Sequence, residues 1–382
     1  MVQLLAVVGL PLLTYYLYLA ATVHQGALFA PTPATLAALP APTLAAVGII
    51  VGWLLFQALL YRLLPGPVRD GVYRLNGWRA FSLTLAVGAG AVTLGWIPPT
   101  ILYDEFGALL TTAHLLVFAM CVWLWRRGQG RTLADFFLGT DLHPRVGGFD
   151  LKFFCESRPG LIGWLLIDLS CAAKQWETLG HVSTPMLLVA AFQLLYVADY
   201  FWHEEAILTT WDIRHERLGW MLGWGCLVWV PFTYSLQALY LVQHGHSLPA
   251  WAVVGLIALN GGGYAVFRGA NWQKHRFRSD PAAPVWGRPA EYVETAAGAR
   301  LLASGWWGLS RHMNYFGDWL MALAWSLPCG FTHLLPYFYP AYFLILLVHR
   351  ERRDHAHCLA KYGDDWTRYC ARVRWRIVPW VY

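Results

Sequence analysis

The feature that most constrains this chain is a succession of apolar segments, each close to the length that a helix needs to cross a bilayer. A spanning helix takes about 20 largely apolar residues. Charged residues make up only 13% of the 382 residues, whereas soluble globular proteins have about 25%. The sequence therefore predicts an all-α, polytopic membrane protein with about ten spanning helices. Its apolar segments are 4–21, 44–63, 80–96, 108–125, 160–173, 185–202, 219–241, 250–267 and a hairpin over 318–348.

The basic residues indicate the orientation of these segments. The formal net charge is +6, and Lys and Arg cluster at 69–79, 126–131, 274–278 and 350–353, whereas loops 24–43 and 98–107 contain neither. Because basic loops tend to stay in the cytosol, both termini are expected there. The expected membrane is the endoplasmic reticulum in a eukaryote and the inner membrane in a bacterium. The bilayer is thus an expected partner, and nucleic acid is not.

The cysteines predict neither a disulfide framework nor a metal site. The chain has seven of them and no CxxC pair. His355, His357 and Cys358 are neighbours in sequence, but a structural zinc ion takes four ligands and no matching pair occurs elsewhere.

Ionisable residues collect at the end of the 185–202 segment. Tyr196, Tyr200 and Glu204 recur every four residues, so they would share one face of a continuous helix. Ionisable groups near membrane depth mark function by default. An interfacial aromatic belt would give the same pattern at any single position. We interpret the cluster as functional.

A basic stretch follows the 250–267 segment. If the helix continues, Asn271, Lys274 and Arg278 lie on one side, and such a face suits a phosphate. A patch that binds anionic lipid headgroups would look the same. Both interpretations stay open on local sequence.

The charged C-terminal part has the most specific spacing. If the last apolar segment continues as a helix, four positions at steps of four, four and three to four line one face. Gly363 is expected to end that helix, and a further helical turn is expected over 364–369. The four positions on the shared face are Arg350, Asp354, Cys358 and Lys361 or Tyr362.

Several motifs in the same region resemble a known family. They are LASGWWG at 302–308, RHMNY at 311–315, HLLPYFY at 333–339, HRERRD at 349–354 and KYG at 361–363. With them, the chain from about residue 149 to 382 resembles the sterol reductase family. This family includes sterol C14 reductases, 7-dehydrocholesterol reductases, fungal C24(28) reductases and the sterol reductase domain of lamin B receptor.

The resemblance implies a sterol reductase fold of ten spans that reduces a sterol carbon–carbon double bond with NADPH. Residues 1–148 would form N-terminal membrane helices and a cytosolic loop, and 149–382 would contain the nucleotide and sterol pockets. The nucleotide-binding positions implied by the motifs are Lys274, Arg278, Leu302, Trp307, Asn314, Tyr315, Arg350, Asp354, Cys358, Lys361, Tyr362 and Tyr369.

The chemistry requires an acid. An unactivated alkene accepts hydride only after protonation of one carbon leaves a tertiary carbocation, so a positioned acid and exclusion of water are needed. Candidate acids are Tyr196, Glu204 and Asp318. His203 and Asp212 are secondary candidates. The resemblance places Tyr196 in the sterol pocket.

The position of the reduced bond depends on local similarities. Residues 322–331 and 204–210 look like the C14 branch, which we expect. Residues 172–175, 218–220 and 285–288 look more like the C7 branch, and 313–319 are similar to the C24(28) branch. A C7 reductase is the alternative, followed by a C24(28) reductase.

Two functions from other classes remain as hypotheses. An isoprenylcysteine-type membrane methyltransferase has a similar C-terminal Arg-His-x-x-Tyr pattern and would use S-adenosylmethionine. That cofactor has no phosphate, so Lys274 and Arg278 argue against it. A non-catalytic sterol-binding protein is the other hypothesis, and the filled nucleotide positions argue against it.

Overall fold

The computed structural model describes residues 2–382, apart from the side chain of Leu36. It divides into two compact units. The first unit is Met1–Ser247 with Phe331–Pro336, and the second is Leu248–Gly330 with Tyr337–Tyr382. The boundary expected after residue 148 lies inside the first unit. Both units are mainly helical.

Among the residues that the structure describes, the first unit contains fourteen α-helices. Its two antiparallel hairpins pair β1 (Val68–Arg69) with β2 (Tyr73–Arg74), and β3 (Arg145–Val146) with β4 (Phe149–Asp150). The helices are α1 (Val2–Thr22), α2 (Pro33–Ala37), α3 (Leu44–Leu63), α4 (Gly77–Thr93), α5 (Ile101–Asp104), α6 (Phe106–Arg127), α7 (Leu133–Leu138), α8 (Leu151–Ser157), α9 (Pro159–Leu179), α10 (Thr184–Trp202), α11 (Trp211–His215), α12 (Trp220–Trp224), α13 (Val230–Thr233) and α14 (Leu236–Gln243).

The second unit contains α15 (Ala250–Ser279), α16 (Trp306–Leu309), α17 (Met313–Ser326), α18 (Phe338–Tyr362) and α19 (Asp364–Arg372). A hairpin pairs β5 (Tyr292–Glu294) with β6 (Arg300–Leu302), in a register that places Val293 opposite Leu301. Three-residue 3-10 turns occur at Leu327–Cys329 and Leu335–Tyr337.

The protein is an integral membrane protein. Six described segments are long and apolar enough to cross a membrane: α1, α3, α6, α10, Trp220–Gln243 and α15. The other predicted spans coincide with α4, α9, α17 and α18. Of these, α4 has 17 residues and α17 has 14, fewer than the 20 or so that cross a bilayer unaided.

Helix boundaries follow from local chemistry. Thr43 Oγ1 accepts from the N–H of Ala46 at 3.0 Å and begins α3, and Asp150 Oδ1 accepts from the N–H of Phe153 at 2.9 Å and begins α8. Gly363 has φ +53° and ends α18, as predicted, because a left-handed residue interrupts the helix at little cost only when it is glycine.

Two expected helices are interrupted. α10 ends at Trp202 because His203 has φ −108° and ψ 32°, and Glu204 begins a 3-10 turn that ends at Thr209. The expectation of a continuous helical face through Glu204 is therefore wrong. The 219–241 segment is also broken, since Gly225–Trp229 forms a π-helical turn between α12 and α13.

Glycines allow two close approaches. A Cβ at Gly160 would lie 1.9 Å from the carbonyl oxygen of Cys226, so α9 meets the π-helical turn only with glycine there. In the second unit a Cβ at Gly317 would lie 2.6 Å from the carbonyl oxygen of Gly263. Paired small residues thus bring α15 and α17 into close contact.

Candidate active site

Tyr196 lies on α10 in the first unit, beside an aromatic frame that consists of Trp164 and Tyr234. The fully buried Trp164 has its ring centroid 6.1 Å from that of Tyr196. Trp164 Nε1 donates to Gln193 Oε1 at 3.1 Å, and Gln193 Nε2 donates to the carbonyl of Tyr234 at 3.0 Å. The Tyr234 ring meets Trp164 edge-on at 5.3 Å. These contacts hold Trp164 in one orientation and define the wall against which Tyr196 packs.

Both carboxylate oxygens of Glu204 are engaged. Oε1 accepts from Arg158 Nη2 at 2.8 Å, and Oε2 accepts from the backbone N–H of Gly77 at 2.7 Å. Arg158 is fully buried, and its guanidinium lies 4.7 Å from the Tyr61 ring centroid. Burial raises the pKa of Glu204, although the Arg158 charge and the Gly77 N–H oppose that shift. Glu204 thus links the starts of α4 and α9 to the 3-10 turn.

Lys152 forms a second buried link in the first unit. Its Nζ donates to the carbonyls of Asp212, Ile213 and Glu216 at 3.0, 2.6 and 2.8 Å, and the residue has no exposed surface. Burial lowers the pKa of Lys152, while nearby carboxylates, Glu156 foremost, counteract the shift. α8 is thereby tied to the end of α11. Sequence reasoning missed both Lys152 and Arg158, since neither belongs to a local spacing pattern.

The remaining candidate acids are divided between the two units. Asp318 is half-buried on α17 in the second unit, whereas Tyr196 and Glu204 belong to the first. His203 Nδ1 is 3.2 Å from Asp199 Oδ1. Of the three main candidate acids, Tyr196 and Glu204 therefore share a unit with the aromatic frame, as do the secondary candidates His203 and Asp212, whereas Asp318 does not.

All of the predicted nucleotide-binding residues lie in the second unit. Lys274 Nζ is 4.0 Å from the Trp307 ring centroid, and Trp307 Nε1 donates to the carbonyl of Ala270 at 2.8 Å. Leu302 packs in the same buried cluster as Trp307. Arg278 is exposed one turn beyond Lys274 on α15. The helix does continue through Arg278, so the predicted basic face is present beside an indole ring.

Asn314 has an unused acceptor. Its Nδ2 donates to Asn271 Oδ1 at 3.2 Å, but its Oδ1 is buried and has no hydrogen-bond partner among the described residues. A buried acceptor without a donor costs about 1–3 kcal/mol. This atom therefore suits a ligand N–H group, such as a carboxamide.

Asp354 is held by His312, a residue of the RHMNY motif for which the sequence alone predicts no role. His312 Nε2 lies 3.2 Å from Asp354 Oδ2, its Nδ1 lies 3.2 Å from the carbonyl of Arg376, and its ring stacks on Tyr315 at 4.8 Å. Partial burial favours a raised pKa for Asp354. The hydrogen bond and charge of His312, together with Lys274, outweigh it and lower the pKa below its usual value.

Cys358 is a neutral thiol in this setting. Its Sγ lies 4.0 Å from Asp354 Oδ2. Burial and then the Asp354 charge raise the pKa of Cys358 to about 12, against the opposing charges of Lys274 and Lys361. Since only a thiolate is a good nucleophile or metal ligand, Cys358 acts here as a packing and hydrogen-bonding group.

The C-terminal part of the predicted α18 face packs against α19. Lys361 Nζ lies 5.0 Å from the Tyr362 ring centroid. Tyr362 and Cys358 pack against the buried Tyr369 of α19, and this burial raises the pKa of Tyr369. Arg350 is half-buried one turn before Asp354. The continuous α18 confirms the helical spacing on which this face was predicted.

Two buried side chains, Trp366 and Arg311, contact His355 on α18. Trp366 Nε1 donates to His355 Nδ1 at 3.0 Å, and Arg311 Nη1 lies 3.3 Å from the same nitrogen. Arg311 also donates to Cys370 Sγ at 3.0 Å. Burial, and then the Arg311 charge, lowers the pKa of His355. Arg311 lies in the RHMNY motif, and that position was the only signal for it in the sequence.

Within residues 2–382, no three His, Cys, Asp or Glu side chains are arranged to hold a metal ion.

Comparison with known proteins identifies the family. The model of the ergosterol biosynthesis ERG4/ERG24 family matches residues 3–382. The chain is 52% identical over 402 residues to a Delta(14)-sterol reductase of Methylotuvimicrobium alcaliphilum, with 99% of this chain and 94% of the relative covered. It is 47% identical over 380 residues to one of Mus musculus, with 92% and 90% covered. For one of Dictyostelium discoideum the identity is 44% over 361 residues, with 88% and 78% covered.

These matches confirm the resemblance found in the motifs and extend it over the N-terminal helices, where the motifs gave no signal. The chain belongs to the ergosterol biosynthesis ERG4/ERG24 family.

Proposed function

We propose that the protein reduces the C14 double bond of a sterol and uses NADPH as the reductant. The observation that carries this proposal is the 52% identity to a Delta(14)-sterol reductase over 99% of this chain. The contacts around Tyr196 and along the α15 and α18 faces support it. The C7 and C24(28) alternatives rest only on short local similarities.

The function is tested with a panel of unsaturated sterols. Purified protein with NADPH is incubated separately with C14-, C7- and C24(28)-unsaturated sterols, and the products are read by mass spectrometry. Only the C14-unsaturated sterol is expected to gain two hydrogens. Consumption of the C7-unsaturated sterol instead would assign the protein to the other branch, and consumption of none would favour a sterol-binding role without catalysis.

We assign the NADPH site to the second unit. Lys274 and Arg278 offer positive charge for the extra phosphate of this nucleotide, and the buried Oδ1 of Asn314 can accept from its carboxamide. Trp307 and Tyr315 offer ring surfaces, and the remaining predicted positions on α18 and α19 would complete the site. When bound, NADPH supplies a hydride.

The first unit is proposed to supply the proton. Tyr196 would hold it at the phenol oxygen and donate it to the sterol alkene, with the Trp164 frame excluding water from that side. Glu204 has both oxygens engaged by Arg158 and Gly77, so we assign it a positioning role. Asp318 remains the second candidate acid.

Replacing Lys274 with Gln is expected to raise the Kd for NADPH about 10- to 100-fold, because a charged hydrogen-bonding group contributes about 1.5–3 kcal/mol. The Kd for NADH should change less, since that nucleotide lacks the extra phosphate. Isothermal titration of the purified variant measures both.

Arg372→Gln is the matched control, because it removes a positive charge from an exposed ion pair with Glu291 in the same unit. Equal losses for NADPH and NADH would contradict a phosphate role for Lys274. Tighter binding of S-adenosylmethionine than of NADPH by the unaltered protein would favour the methyltransferase hypothesis.

Both termini are proposed to lie in the cytosol. Basic residues end α6 (Arg126, Arg127) and α15 (Arg276, Arg278), which supports the cytosolic placement of these helix ends and of both termini. The membrane would be the endoplasmic reticulum in a eukaryotic host and the inner membrane in a bacterial one. Residues 149–382 would contain both pockets.

A further inference from the structure

The second unit has a cavity that the proposed reaction does not use. Its volume is about 410 Å³, and its walls come from α15, from the 283–287 loop and from α16. At about 100° per residue, the α15 positions that line it point away from Asn271, Lys274 and Arg278. The cavity is therefore on the face of α15 opposite the proposed nucleotide site. Its main lining residues are Gly269, Trp272, Gln273, Arg276, Trp286 and Trp306.

Three indole rings and one guanidinium shape this cavity. Trp286 and Trp306 meet nearly at right angles with ring centroids 5.2 Å apart, and the Arg276 guanidinium lies 5.2 Å from the Trp272 ring centroid. Gln273 Oε1 accepts from the backbone N–H of Trp306 at 2.8 Å and fixes the inner wall. Among residues 2–382, the exposed Arg276 guanidinium has no hydrogen-bond acceptor or carboxylate partner, and the residue lines the cavity.

The position of the cavity along α15 places it at the membrane surface. Trp251 and Trp272 are 78% and 60% exposed and lie 21 positions apart, which is about 31 Å along a helix. This matches the hydrocarbon thickness of about 30 Å between the two aromatic belts of a membrane. Between them Val254 and Ile257 are exposed, as expected for a helix that faces lipid. The cavity begins at Gly269, where α15 leaves the hydrocarbon.

We propose that this cavity binds the headgroup of an anionic phospholipid, with Arg276 on the phosphate and the three indole rings around the glycerol and headgroup. The local charge selects an anionic lipid, because the end of α15 carries Arg268, Lys274, Arg276 and Arg278. Indole rings at headgroup depth favour an amphiphilic molecule over a free ion.

The bound lipid would also restrain the neighbouring site. Trp306 lines the cavity, and the next residue, Trp307, lies under Lys274 in the proposed nucleotide site. Both belong to the four-residue α16. A headgroup that holds Trp306 therefore holds the short helix that carries Trp307.

The test counts retained lipid and does not depend on catalysis. The full chain is placed in nanodiscs of phosphatidylcholine with about one-fifth phosphatidylglycerol, transferred to detergent, and examined by native mass spectrometry. The unaltered protein is expected to retain phosphatidylglycerol in preference to phosphatidylcholine. Arg276→Gln is expected to lower this retention about tenfold, since it removes a charged hydrogen bond to phosphate.

Arg127→Gln is the matched control. Arg127 is also an exposed arginine at the end of a membrane helix, 5.3 Å from a tryptophan ring centroid, but it lines no part of this cavity. The Arg127→Gln variant should retain as much phosphatidylglycerol as the unaltered protein. Trp286→Gly is a second variant that should lose retention while folding normally, because φ at Trp286 is +50° and glycine adopts that conformation more readily.

Equal retention in Arg276→Gln and the unaltered protein would overturn the proposal. So would equal losses in Arg276→Gln and Arg127→Gln, which would indicate only general surface charge. Displacement of the lipid by glycerol phosphate in solution would show that a free phosphate ester suffices, and it would overturn the assignment to a membrane lipid.

Discussion

Tyr196→Phe is expected to lower kcat by about 10²- to 10⁴-fold, which is the usual contribution of a positioned general acid. The substitution removes one oxygen and keeps the ring that packs beside Trp164, so the aromatic frame should persist. The Kd for NADPH should stay the same, because every proposed nucleotide-binding residue lies in the other unit. Steady-state turnover of a C14-unsaturated sterol and titration with NADPH measure the two quantities.

Tyr15→Phe provides the control for this experiment. Tyr15 is likewise a hydrogen-bonded phenol on a membrane helix, and its hydroxyl donates to Thr111 Oγ1 at 2.9 Å. It should turn over sterol at close to the unaltered rate. Full activity of Tyr196→Phe would exclude Tyr196 as the acid and direct attention to Asp318. A parallel fall in NADPH binding would point to misfolding.

Glu204→Gln is expected to destabilise the protein by about 3–5 kcal/mol, because it leaves the fully buried Arg158 charge without its carboxylate. Arg158→Met should cost less, since the remaining Glu204 can take up a proton. The double variant should be more stable than the sum of the two single losses predicts, because the residues are in contact. Melting temperatures in one detergent compare the variants.

The pH dependence distinguishes the two single variants. Without Arg158, burial raises the pKa of Glu204 further above its unfolded value, so the folded state binds the extra proton. A raised folded pKa adds stability at low pH that is lost as pH rises. The melting temperature of Arg158→Met should therefore approach that of the unaltered protein as the pH falls through the raised pKa of Glu204, whereas Glu204→Gln should not recover. Equal recovery of both variants would contradict an ion-pair role.

The spacing of residues in the sequence correctly predicts which side chains share a helix face wherever the helix is continuous. The spacing from Arg350 to Lys361 predicts one helical face, and α18 does extend to Tyr362. Gly363 ends this helix because its φ is positive. The basic face of α15 was found in the same way. Both are properties of a single segment, and periodicity reports on single segments.

The same reasoning failed where tertiary contacts override the helix. The spacing from Tyr196 to Glu204 predicts one continuous helix. In the structure Glu204 lies in a 3-10 turn, and its carboxylate binds Arg158, 46 residues earlier in the chain. The contact of His312 with Asp354, 42 residues apart, has no sequence signature either. Pairings across such separations depend on how helices pack, and one sequence contains no direct record of that packing.

The three carbonyls that bind Lys152 impose an order on biosynthesis. They belong to residues about 60 positions later in the chain. At about 5–20 residues per second, the ribosome makes that interval in roughly 3–12 s. During this time the ammonium has none of its final acceptors, so α8 is expected to stay accessible to water or to a chaperone. Ribosome-bound chains that end before Trp211 should expose Lys152 to amine-reactive reagents, and chains that extend well past Glu216 should protect it.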